Sequence, residues 1–120
     1  MAKRLSASTV VAFPSSYEGF GVPVVAAMAV GVPVLVADGT PAADLTGPAS
    51  VLPAMAGPSQ WADRLERLLV DDDHRRSLIA EGLAGATAHT WEASAVALER
   101  AWRLLLSAGP WTTRQGSGAR

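Results

Sequence analysis

Residues 9–37 read TVVAFPSSYEGFGVPVVAAMAVGVPVLVA, and the punctuation of this stretch decides the fold class. Thr9-Val10-Val11-Ala12-Phe13 is a short, continuously apolar and β-branched run halted by Pro14-Ser15-Ser16, the pattern of a strand buried on both faces. Glu18-Gly19-Phe20-Gly21 then leads into Val22-Pro23. A proline near φ −65° suits a first helical turn, which predicts a helix from about Val22 to Val30, with Gly31 ending it as a C′ glycine. Pro33-Val34-Leu35-Val36-Ala37 is a second buried strand, closed by the turn residues Asp38-Gly39-Thr40-Pro41. Strand, helix, strand with a short crossover is a βαβ unit, and so a parallel sheet. A third, weaker strand is expected at Ser50-Val51-Leu52.

Downstream of that unit the sequence reads as helical. Ser59 can cap a helix in which Trp61, Leu65, Leu68 and Leu69 share one face while Asp63 and Arg67 pair on the other. Asp71 can cap the next, its run Asp71-Asp72-Asp73 placing negative charge at the positive end of the helix dipole. Thr90 can cap a third, whose Trp91, Ala95, Leu98, Trp102 and Leu105 repeat at 4-3-4-3 spacing and form a seam that needs a partner surface. Gly109-Pro110 breaks that helix, and residues 108–120 are expected to be a disordered tail. The fold class is therefore α/β: a partial Rossmann-like parallel sheet of two or three strands with a helical C-terminal half.

Composition narrows the function. The 120 residues carry 10 basic and 11 acidic side chains, no cysteine, and a net charge of −1. One domain at most fits this length. Residues 1–60 hold two basic and three acidic groups and residues 61–120 eight of each, so no basic face exists to track nucleic acid. Lack of cysteine removes disulfides, zinc-thiolate sites and thiol nucleophiles and accords with a reducing, cytoplasmic setting. Met1-Ala2-Lys3-Arg4 is followed by Ser6, Ser8 and Pro14, so no apolar run of signal-peptide length develops, and no membrane span is expected. His74 and His89 each lack a second ligand at metal-binding spacing, and no metal site is expected. Ser15 and Ser16 lack a nucleophile elbow.

The residues with chemical promise lie between the first strand and the first helix. A glycine-flanked turn at the carboxyl end of a parallel strand, feeding a helix N-terminus, is either an ordinary tight βα turn or a phosphate cradle. Val24 stands where a dinucleotide fingerprint wants its third glycine. Glu18 is either a solvated turn residue or an acceptor for sugar hydroxyls in the crevice beyond the strand ends.

Pro14-Ser15-x-Tyr17-Glu18-Gly19-Phe20-Gly21-x-Pro23-Val24, followed by Ala27-Met28-Ala29-x-Gly31-Val32-Pro33-Val34, resembles the donor-site signature of retaining GT-B glycosyltransferases of the group 1 family. The resemblance extends to Ala37-Asp38, to Asp44-Leu45-Thr46-Gly47 in the place of Glu-Val-x-Gly, to Leu68-Leu69-Val70-Asp71, and to Thr90-Trp91-Glu92. It implies that residues 1–107 match the second half of a nucleotide-sugar-binding domain. It further implies that Glu18 contacts the donor sugar while Gly19, Phe20, Gly21 and Val22 lie against sugar and phosphate. No cofactor is implied, a nucleotide-diphosphate sugar being the donor substrate. The family's second Glu, which grips the ribose hydroxyls eight residues after the first, is Ala26 here. The acceptor domain and the diphosphate-binding Arg and Lys are missing from these residues, so independent catalysis is not expected. The remaining reading is a non-catalytic module whose strand 9–13 edge and Trp seam dock a second copy or a partner subunit.

Overall fold

The computed structural model describes residues 2–107, and the tail expected from residue 108 onward lies outside the described residues. Residues up to His89 form one compact unit, and a second begins at Thr90. The elements of the first unit are α1 (Ala2–Leu5), β1 (Val11–Phe13), α2 (Val22–Ala29), β2 (Val34–Ala37), α3 (Pro41–Asp44), a 3₁₀ turn (Pro48–Ser50), β3 (Val51–Leu52), α4 (Pro58–Val70) and α5 (Asp72–Ala86). The strands pair in parallel in the order β1-β2-β3, with Val11 opposite Val34 and Val36 opposite Val51. The fold is thus α/β with a three-stranded parallel sheet.

The central strand organises the packing. All four residues of β2 are buried, and their side chains alternate between two hydrophobic clusters. Val34 and Val36 join Val24, Ala27 and Met28 of α2, together with Val32, Ala42 and Ala86. Leu35 joins Leu52, Leu68 of α4 and Leu78 of α5, flanked by Trp61 and Leu65. Helices therefore roof both faces of β2, as a parallel strand requires.

β1 departs from expectation. It spans Val11–Phe13 rather than residues 9–13, and Ala12 is exposed, so it is not buried on both faces. The reason is its position: among the described residues it pairs with β2 alone, which leaves its other edge free.

Local chemistry sets the helix limits. α2 ends in a Schellman arrangement, with Val32 N–H donating to the Ala27 carbonyl and Gly31 N–H to that of Met28, which Gly31 permits by adopting φ 71°. α5 packs along α2 through two glycines. A Cβ on Gly82 would lie 3.3 Å from Met28 Cγ, and one on Gly85 3.1 Å from Met28 Cε. These glycines cost helix propensity but open a groove that the Met28 side chain fills.

α4 starts two residues earlier than a Ser59 cap would allow. Gly57 is the N-cap, Pro58 occupies the first turn, and the Gln60 Oε1 accepts Gly57 N–H at 2.9 Å. Leu69 lies off the buried face and is 55% exposed. Arg67 pairs with Asp71 at 3.7 Å instead of with Asp63. Arg75 reaches back to the Leu68 carbonyl at 3.1 Å, satisfying a C-terminal acceptor of α4.

Asp71 caps α5 as expected, its Oδ1 accepting His74 N–H at 2.9 Å. In the second unit, α6 (Trp91–Ser107) is capped by Thr90, whose Oγ1 accepts Ala93 N–H at 3.1 Å. Leu98, Trp102 and Leu105 of its seam are exposed.

Two outcomes follow for stability. Leu68→Ala should lower unfolding free energy by about 2–5 kcal/mol in urea titrations, because Leu68 is buried among Leu35, Leu52 and Leu78. The backbone bond from His74 holds the Asp71 carboxyl below its ordinary pKa, assisted by Arg67. A depressed folded pKa contributes stability above the unfolded value of about 4 that is lost as pH falls through the folded value. Asp71→Ala should therefore be less stable than the parent at pH 7, with the gap in melting temperature narrowing on acidification.

Candidate functional site

The site is built where β1 stops. Pro14 cannot continue the ladder, and the chain turns through Ser15–Gly21 before entering α2. Within the turn, Ser15 Oγ donates to the Tyr17 carbonyl at 2.9 Å. Tyr17 is 89% exposed, Phe20 47%, and Glu18 is half-buried. Gly21 closes the turn as the N-cap of α2, with φ 92° and ψ 39°. Its space is confined as well as its dihedral: an added Cβ would meet Ala42 Cβ at 3.0 Å and Ala42 Cα at 3.2 Å. The turn after β1 is thereby pressed against α3, the element that follows β2.

This geometry decides how many donors remain without a partner among the described residues. The Gly21 carbonyl accepts both Val24 N–H at 2.9 Å and Val25 N–H at 3.2 Å, and Pro23 has no N–H. Among the described residues no acceptor meets the amides of Gly19, Phe20, Gly21 or Val22. Four successive free amides at the positive end of a helix form a surface suited to an anion. The sequence-derived cluster Glu18, Gly19, Phe20, Gly21 and Val22 is thus one continuous segment at a strand's carboxyl end. Ala26 lies one turn into α2, half-buried.

Neighbouring features complete the strand-end crevice. Asp38 N–H donates to the Leu52 carbonyl at 2.7 Å, and Thr40 Oγ1, buried, donates to the Ala37 carbonyl at 2.9 Å. One cavity is lined by Asp38, Asp44, Thr46 and Val51, and an apolar groove is lined by Ala12, Pro14, Ala37, Trp61 and Leu65. Both open at the carboxyl ends of strands, where parallel α/β sheets receive ligands.

Sequence reasoning missed two contributors. α3 begins at Pro41, where the turn expected over Asp38–Pro41 ends, and Thr40 at its N-cap followed by Pro41 in the first turn is a helix-start signal. His89, which has no metal-ligand partner at suitable spacing in the sequence, meets Phe20 edge-on, with ring centroids 5.7 Å apart and planes at 74°. No local signal links residues 69 positions apart. His74 serves α5 through its backbone N–H. Lys3 and Arg4 lie exposed on α1, and no described ion pair or side-chain hydrogen bond joins either to the turn. Among the described residues no group of three metal-ligating side chains is present, and no helix is long and apolar enough to cross a membrane.

Comparison with known proteins adds an independent line. The family model described as "Glycosyl transferases group 1" matches residues 1–84. The chain is 37% identical over 114 residues to a D-inositol 3-phosphate glycosyltransferase of Corynebacterium jeikeium (strain K411), covering 93% of this chain and 27% of that protein. It is 32% identical over 100 residues to O-antigen chain mannosyltransferase B of Escherichia coli, covering 83% and 26%. Among solved structures it is similar to sucrose-phosphate synthase from Thermosynechococcus elongatus, with a TM-score of 0.78 and 29% identity over 88% of this chain and 27% of that one. The chain spans about a quarter of the length of these proteins.

The two turn glycines separate by substitution. Gly21→Ala should cost about 1–3 kcal/mol, since it forces an L residue to φ 92° against the backbone of α3. Gly19→Ala, with nothing within 4 Å of the new methyl, should stay within about 0.5 kcal/mol of the parent in thermal melts.

Proposed function

Because the chain belongs to the glycosyl transferases of group 1, we propose that the turn from Glu18 to Val22 is the donor-binding element of a sugar-transfer site. The donor is a nucleotide-diphosphate sugar. The observation that carries this reading is the run of four free amides at the start of α2, fixed by Gly21 at φ 92°. These amides receive a diphosphate oxygen, and the dipole of α2 adds to the attraction. Glu18 accepts hydrogen bonds from hydroxyls of the sugar, which orients the anomeric carbon. Transfer proceeds with retention at that carbon, in the cytoplasm, to an acceptor bound by other parts of the enzyme.

These residues do not turn over alone in this reading. Departure of the diphosphate needs cationic groups aimed at the developing charge, and the described turn is met by no Lys or Arg ion pair. In the relatives, residues covering the remaining three quarters of the length are available for that role and for holding the acceptor. Ala26 weakens the donor site further, because a methyl group cannot grip the ribose hydroxyls as a carboxylate one helical turn from the phosphate would.

A second reading is favoured by one observation, the exposure of Ala12 on an edge strand beside the apolar groove. In it the chain is a non-catalytic module that takes a partner or second copy along β1. A monodisperse monomer with a cooperative melt at high concentration would exclude the second copy and show that the edge is stable without a partner.

Calorimetric titration with UDP-, GDP- and ADP-sugars tests the main reading. A donor should bind, and Glu18→Ala should weaken it about 10- to 150-fold by removing a charge-assisted bond. Ala26→Glu should tighten the same donor by about tenfold or more. Absence of heat with every donor, for both the parent and Ala26→Glu, would overturn the assignment.

A further inference from the structure

We propose that His89 is a positioning residue for the glycine turn, setting the direction of the amides through its contact with Phe20; this rests on the donor-site reading for its role in binding. The turn is anchored at two points. Ser15 ties off Tyr17, and Gly21 is lodged against Ala42. Between them, Glu18, Gly19 and Phe20 make no hydrogen bond to any described residue. Gly19 has open space around it and little to restrict its dihedrals. One contact that reaches into this span is the edge-on packing of the Phe20 ring against the His89 ring, 5.7 Å between centroids.

His89 is a firm base for such a contact. Its own N–H donates to the Ala86 carbonyl at 3.0 Å, holding it to the last turn of α5. That helix is in turn seated on α2 by the Met28 side chain in the groove of Gly82 and Gly85. The segment after α5 therefore holds the turn that precedes α2. Since each peptide unit is planar, fixing the Phe20 side chain at one end and Gly21 at the other orients the Gly21 N–H that lies between them and narrows the range open to the Phe20 N–H just before it. An edge-to-face pair also requires an aromatic ring rather than a particular ring nitrogen, so phenylalanine should substitute for His89.

The test uses backbone ¹⁵N relaxation of the full chain. In His89→Ala the order parameters of Gly19 and Phe20 should fall from about 0.85 to 0.6 or below, while His89→Phe should keep the parent values. Donor affinity should drop about two- to tenfold in His89→Ala and recover in His89→Phe. Unchanged order parameters in a folded His89→Ala would overturn the proposal. Should that variant fail to fold, Phe20→Ala removes the same contact from a half-exposed position, and an unchanged Gly19 order parameter there would overturn it equally. If the turn loosens as stated but no nucleotide sugar binds even the parent, the donor-site reading fails and the positioning role of His89 stands.

Discussion

A parallel strand in the middle of a sheet has its hydrogen-bonding groups occupied on both edges and its side chains directed to both faces, so it persists only where both faces are roofed. β2 meets this requirement with four residues, all buried. The roof over one face is α2, and over the other α4, while α5 contributes Leu78 to one cluster and Ala86 to the other. Because α2 must cover Val34 and Val36, its N-terminus is delivered to the carboxyl end of β1. The free amides of Gly19–Val22 are thus a by-product of burying β2, and the chemistry of the turn depends on that hydrophobic requirement.

The crevice is equally a product of packing. Gly21 abuts Ala42 so closely that no side chain fits between them. The turns after β1 and β2 consequently behave as one surface, on which a ligand would meet backbone from both. The charged groups placed there, Glu18, Asp38 and Asp44, are carboxylates, so the anion binding proposed for the turn rests on peptide dipoles rather than ammonium or guanidinium groups. Dipoles of this kind hold and orient a diphosphate but do little to neutralise it. In the proposed donor site, that division assigns holding to the glycine turn and leaves neutralising to groups outside it.

Much of this was legible in the sequence. The strand at residues 34–37, the span of α2, the caps Asp71 and Thr90 and the glycine turn all follow from local rules of composition and periodicity. The exposure of Ala12 on β1 did not, because a continuous apolar run reads as buried on both faces; the free edge of strand 9–13 is expected only through the family resemblance, since pairing partners are a property of the whole sheet. The Gly57 cap was displaced from Ser59 by Pro58 and Gln60, two signals that outweigh a lone serine. The glycines at 82 and 85 lower the helix propensity of α5, and the position of Met28 gives them a packing role that composition does not reveal. The pairing of Phe20 with His89 depends on tertiary placement alone.

The seat of Met28 gives the molecule a built-in chemical clock. Its thioether chain is 2% exposed and lies in the groove that Gly82 and Gly85 open in α5, shut away from solvent. Peroxide would therefore convert it to the sulfoxide only while α2 and α5 are parted. Met55, 93% exposed, carries the same chemistry without that restriction. The ratio of the two oxidation rates, read by mass spectrometry on a single sample, measures how often the two helices separate.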